Sequence, residues 1–150
     1  MSGTYTSLYY HLVFSTKNRQ NLLTSEVTPR IYDYIGGIIR EINGIPIILG
    51  GHTEHTHILC SLANTIAISE SLRIIKAGSS KWIHQTIPSM KDFAWQEGYG
   101  AFSISVTGLD RVKGYILNQH EHHQTQTFQE EFLEFLHRHN IPYDPRYIWE

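Results

Sequence analysis

The chain has 150 residues, of which 41% are hydrophobic and 17% charged, and its formal net charge is −2 with histidines neutral. The length suits one domain with a single core, here 1–150, and the composition excludes a disordered chain. The charge argues against a protein that coats nucleic acid by bulk positive charge, while leaving room for a local basic patch.

No apolar run approaches the roughly 20 residues of a membrane span. The start, MSGTYTSLYYHLVF, lacks the basic region and small-residue cleavage site of a secretory signal. The single cysteine, Cys60, lies in an apolar run and reads as a small hydrophobe. One thiol makes no internal disulfide, so a reducing, cytoplasmic setting is expected.

Ser7 to Thr16 is rich in aromatic and β-branched residues and predicts a strand, with Leu8, Tyr10, Leu12 and Phe14 on one face. A polar loop follows. Ser25 or Thr28 can cap a helix that takes Pro29 in its first turn. Ile31, Ile35, Ile38, Ile39 and Ile42 recur at helical spacing, and Asn43-Gly44 ends the helix. Ile45 to Gly51 and His55 to Leu62 predict two strands joined as a hairpin. Ser69 to Ala77 fits a second helix, capped by Ser69 and ended by Gly78. Ala101 to Thr107 predicts a fourth strand, where Phe102, Ile104 and Val106 alternate with small polar residues. That alternation implies one buried and one open face. Leu109 to Gln124 and Thr127 to His139 predict two more helices, the latter opened by a capping box of Thr127 and Glu130. An irregular tail with aromatic anchors follows.

The order predicts an α+β fold. It is the split βαβ (ferredoxin/RRM-like) arrangement: a four-stranded antiparallel sheet, helices on one face and an additional C-terminal helix. Such sheets often present an open face to single-stranded nucleic acid.

The ten histidines cluster at 52–57, 120–123 and 137–139. Successive strand residues point to opposite faces, so His55 and His57 point the same way and can reach one divalent ion. The alternative is a pair of ordinary polar residues on an exposed sheet face. Two histidines leave a divalent site incomplete. A carboxylate or amide oxygen as third ligand suits Mg²⁺ or Mn²⁺, while imidazoles also admit Zn²⁺ or Ni²⁺.

Four blocks carry a resemblance to a known family: YYHLVFSTKNRQNLL, EHTHILCSL, FAWQEGYGAFSISV and VKGYILNQHEHHQTQTFQEEF. The second resembles the histidine–hydrophobic–histidine (HUH) motif of single-strand DNA nucleases. Together, in order and across nearly the whole chain, they resemble the single-tyrosine transposases of the smallest bacterial insertion sequences. The resemblance implies that Tyr115 is the nucleophile and that His55, His57 and Gln119 hold a divalent metal, Mg²⁺ or Mn²⁺. Tyr115 and Gln119 are four residues apart, one turn along a helical face. Thr56 departs from the usual hydrophobic residue between the histidines, and its hydroxyl needs a partner if buried.

The implied reaction is cleavage and rejoining of hairpin-bearing single-stranded DNA through a 5′-phosphotyrosine. It also implies homodimers in which the histidine pair of one subunit works with the tyrosine helix of the other; a mobile helix near SVTGLDR, with Gly108 as its hinge, is compatible with that exchange. Arg73, Lys76, Ser80, Lys81 and Trp82, with Lys17 and Arg19 in the first loop, are the candidate DNA contacts; the alternative is a solvated helix face with a core tryptophan. His122 and His123 suit DNA contact or a helix end and stay outside the metal set. His11 and His52 receive no role. Two rival readings remain open: a domesticated relative that binds DNA hairpins without cutting, and a metal-dependent nuclease that uses water. An RNA-binding domain of the same topology fits less well, because the third strand carries histidines and aliphatics where such a domain needs exposed aromatics.

Overall fold

The computed structural model describes residues 3–150. Four strands, β1 (Tyr9–Ser15), β2 (Ile45–His52), β3 (His55–Ser61) and β4 (Gly100–Ile104), form one sheet in the order β2-β3-β1-β4. Every neighbouring pair is antiparallel. This is the split βαβ topology that the element order predicts.

Helices α1 (Thr28–Glu41) and α2 (Ile68–Thr86) cover one sheet face. There Leu12, Phe14, Ile58 and Cys60 meet Ile31, Ile35, Ile39, Leu72 and Ile75, all essentially buried. The isoleucine spacing in α1 therefore marks its core stripe. Pro29 sits in the first turn as expected, but Val27 is the N-cap and no side chain caps the helix. Ala67, not Ser69, precedes α2, also without a side-chain cap. Gly78 does not end α2. A Cβ there would lie 2.9 Å from the Ile38 side chain of α1, so the glycine serves close helix packing. With that contact in place the helix runs on through Trp82 to Thr86.

The other face is covered too, which corrects the expectation of an open face. Helices α3 (Leu109–Leu117), α4 (Gln119–His122) and α5 (Phe128–Arg138) lie over it. Val13 and Phe102 pack on Phe128, Phe132 and Phe135, while Leu59 packs on Val112 and Ile116. Gly50 of β2 makes room: a Cβ there would sit 2.9 Å from the Ile116 side chain and 3.0 Å from its carbonyl. Strand β4 ends at Ile104 and Val106 is exposed, because the chain turns through a short 3₁₀ segment into α3. The single helix expected over Leu109 to Gln124 is broken at Asn118, whose φ of −98° and ψ of 18° are not helical. The capping box of Thr127 and Glu130 opens α5 as expected. The tail is anchored by Trp149 against Phe128 and Phe132, and the Glu150 carbonyl accepts the Gly98 N–H at 2.9 Å.

Candidate functional site

Strand alternation places His11 of β1 and His55 and His57 of β3 on the sheet face under α3–α5. His55 and His57 are fully buried and His11 is 3% exposed. The exposed-face alternative for the pair is thereby excluded. Thr56 points to the opposite face, also fully buried, and donates its hydroxyl to the Gly50 carbonyl at 3.1 Å. His52 closes β2, paired with His55 across the hairpin, and its ring stacks on His123 with centroids 5.3 Å apart.

Three elements converge on the histidines from above. Tyr115 comes from α3, Gln119 opens α4, and Glu131 comes from α5. His55 Nε2 lies 3.0 Å from Gln119 Oε1, and His57 Nε2 lies 3.0 Å from Glu131 Oε1. Gln119 Nε2 donates to Glu131 Oε2 at 3.0 Å, and the Tyr115 phenol donates to the same oxygen. His122 Nε2 stands 3.2 Å from the Tyr115 hydroxyl. The residues expected at the centre, Tyr115, His55, His57 and Gln119, are thus assembled, and within one chain.

Two residues at the centre were outside the expected set. His123 reaches Gln119 Oε1 at 2.9 Å, and Glu131 is 1% exposed. One ligand atom each from His55, His57, His123 and Glu131 lies within 4.8 Å of the others. Sequence offered a signal for both. His123 follows Gln119 by four residues, one turn on. Glu131 falls on the apolar stripe formed by Phe128, Phe132 and Phe135, where a carboxylate is out of place unless it has partners.

The electrostatics follow from burial and pairing. Burial works to lower the His55 pKa, yet hydrogen bonds to Glu131 and Glu54 outweigh it and raise the value to about 9. Burial dominates for His57, lowered to about 4, and for His11, lowered to about 3. Burial opposes ionisation of Glu131, but hydrogen bonds from His123, His55 and His57 hold its carboxyl far below the usual range. The Tyr115 phenol is pushed up, by burial first and then by the Glu131 charge. Without a metal the site holds a carboxylate among imidazoles and a protonated phenol. Its donor set, nitrogen-rich with one carboxylate and a neighbouring amide oxygen, fits a divalent transition ion such as Mn²⁺.

The expected DNA contacts lie elsewhere and are mixed in character. Lys17 and Lys81 are exposed, and Arg19 lies over the Trp149 ring at 5.5 Å. Arg73 is exposed and pairs with Glu70, while Ser80 is half-buried on the same helix. Trp82 stacks on Tyr34 with centroids 4.9 Å apart, so its ring face is already in use. Lys76 is committed to the fold: its ammonium donates to the carbonyls of Gln96, Glu97 and Gly98 at 2.8, 3.1 and 2.6 Å.

Residues 4–119 match the family model described as "Transposase IS200 like". The chain is 26% identical over 120 residues to the ISDra2 transposase TnpA of Deinococcus radiodurans, an alignment covering 76% of this chain and 85% of that protein. Among solved structures, it superposes on a protein described as a transposase from Deinococcus radiodurans with TM-score 0.66, 22% identity and coverage of 79% of this chain and 95% of the other. It also superposes on the REP-associated tyrosine transposase bound to a REP hairpin, with TM-score 0.59, 18% identity and coverage of 82% and 74%. At these identities the two structures support the fold.

Proposed function

We propose, from the premise that this chain belongs to the IS200-like transposase family, that it cleaves and rejoins hairpin-bearing single-stranded DNA through a phosphotyrosine intermediate at Tyr115. One observation carries the reading. The Tyr115 phenol shares a buried carboxylate, Glu131, with the imidazole of His57. A nucleophile is thus held against a set of metal-ligating side chains.

In this reading His55, His57 and Gln119 hold a divalent ion, with His123 and Glu131 as further donors. Mn²⁺ suits the nitrogen-rich set better than Mg²⁺, which prefers oxygen and water. When bound there, such an ion would supply Lewis-acid polarisation of the scissile phosphate and stabilise charge on its oxygens. The chain's own residues do the rest. Glu131 holds the phenol by its hydrogen bond and is placed to take its proton as the oxygen attacks phosphorus. The Tyr115 O–P bond forms, the bond from phosphorus to the 3′-oxygen breaks, and that oxygen leaves as a 3′-hydroxyl after protonation by water. The phosphotyrosine conserves the energy of the cleaved linkage, so another 3′-hydroxyl can reverse the attack without nucleotide hydrolysis. His122 stands beside the same phenol and steadies it.

Tyr115, Gln119 and the histidine pair meet within one chain. A homodimer that exchanges α3–α5 between subunits would rebuild the same contacts in trans. Among the described residues no helix is long and apolar enough to cross a membrane.

The test uses a hairpin-bearing single strand from the DNA flanking the gene, with Mn²⁺ or Mg²⁺. A covalent protein–DNA band is expected, and Tyr115→Phe, His57→Ala and a chelator should each abolish it. Tight hairpin binding without a band under either metal would favour the non-cutting relative. Cleavage surviving Tyr115→Phe would favour a water-using nuclease.

A further inference from the structure

A cleft of about 650 Å³ opens beside Tyr115, between the end of β4, the start of α3 and the end of α5. Its size falls within the roughly 300–1,000 Å³ usual for small-ligand pockets. Arg111 and Arg138 both line it, together with Ser103 and Ser105, and no carboxylate does. In a chain whose net charge is −2, two guanidiniums facing one cleft make a local positive site. Arg111 is exposed and has no ion-pair partner among the described residues, while Arg138 pairs only with Glu134 of its own helix. Phe135 and Val112 supply an apolar wall.

We propose that this cleft binds the nucleotide next to the scissile phosphate, with Arg111 and Arg138 on its phosphodiester and Phe135 and Val112 against its sugar and base. The assignment rests on the proposed DNA-cleaving function and deepens it. Three features select this ligand. The cleft is cationic, so its ligand is anionic. Its hydroxyls and fork-shaped guanidiniums suit phosphate oxygens. Tyr115 itself forms part of the wall, so a strand whose phosphate reaches the phenol must continue into the cleft or past its mouth. None of the residues expected to contact DNA lines this cleft; it is a separate contact that positions the strand at the cut.

The experiment compares binding of a DNA hairpin alone with binding of the same hairpin carrying its single-stranded flank, in metal-free buffer. In the wild-type protein the flank should tighten binding about tenfold, as expected for one or two charge-assisted phosphate contacts. Arg111→Ala and Arg138→Ala should each lose most of that gain and leave affinity for the bare hairpin within about twofold. Both arginines are exposed, so the variants should fold. A neutral methylphosphonate at the linkage next to the cleavage site should weaken wild-type binding as Arg111→Ala does and add nothing to that variant. A flank gain that persists in the double arginine variant, or is absent from the wild type, overturns the cleft assignment. If the wild type binds no hairpin and forms no covalent adduct, the proposed function fails and takes this assignment with it. If it forms the adduct while the variants keep the flank gain, only the cleft assignment fails.

Discussion

Glu131 accepts the hydrogen bond of the Tyr115 phenol with one carboxylate oxygen and faces the imidazole of His57, 3.0 Å away, with the other. One buried carboxylate therefore couples the proposed nucleophile on α3 to the histidine pair on β3, from a helix that follows both in sequence.

Removing that carboxylate should be costly in two ways. Glu131→Ala takes the acceptor from His57 and from the Tyr115 phenol and leaves the charged His55 with Glu54 as its remaining carboxylate, and breaking a buried ion pair costs roughly 3–5 kcal/mol. Urea unfolding of the metal-free variant measures it. Glu131→Gln keeps the shape and should lose less stability, yet still lower the rate of covalent adduct formation on the order of a hundredfold, because a neutral amide is a poor proton acceptor. Adduct formation at the wild-type rate in Glu131→Gln would remove Glu131 from the chemistry.

Metal should stabilise the fold. At a hundredfold excess over its dissociation constant, an ion that binds only the native state adds about 2.7 kcal/mol. For a chain of this size that raises Tm by roughly 5–10 °C. A thermal melt with and without Mn²⁺ should show the rise, and His55→Ala should abolish it.

The metal-free protein should be most stable slightly below neutral pH. His57 and His11 have pKa values lowered by burial to about 4 and about 3, from 6.5. The unfolded chain therefore binds their protons first, and stability falls as pH drops below 6.5. Depression of Glu131 adds a further loss below its ordinary 4.5. His55 has the opposite sign. Its value is raised to about 9 by Glu131 and Glu54 against burial, so its contribution is complete below 6.5 and is lost as pH rises through 9. Chemical denaturation in chelator from pH 4 to 8, below the range where Lys76 adds its own contribution, should trace that maximum. A curve flat across this range would contradict the buried pairing.

Lys76 should matter for folding more than for DNA. Burial lowers its pKa to about 8, and its ammonium joins the loop at 96–98 to α2 through three carbonyls. Lys76→Met should cost about 1–3 kcal/mol and leave the salt dependence of hairpin binding unchanged. Lys81→Ala, at an exposed position, should reduce the slope of log affinity against log salt by about 0.7 if that lysine meets a phosphate of single-stranded DNA.

What the sequence determined by itself was local and periodic. The isoleucine spacing of α1, the alternation that puts His55 and His57 on one face, and the capping box of α5 each follow from backbone geometry within a few residues. The four family-like blocks pointed to Tyr115, His55, His57 and Gln119, which the structure brings together. The tertiary structure decided the rest. Gly78 reads as a stop signal, but packing against Ile38 outweighs its poor helix propensity. Leu109 to Gln124 reads as one helix, but it breaks at Asn118, between Tyr115 and Gln119, both of which reach the site. His123 and Glu131 enter the site only because α4 and α5 fold back over β3, and that depends on contacts such as Gly50 against Ile116, 66 positions apart. Glu131 was legible as a charge on an apolar stripe. Its partners were not, because a buried carboxylate is explained by the side chains that surround it in space, and those lie on strands and helices distant in sequence.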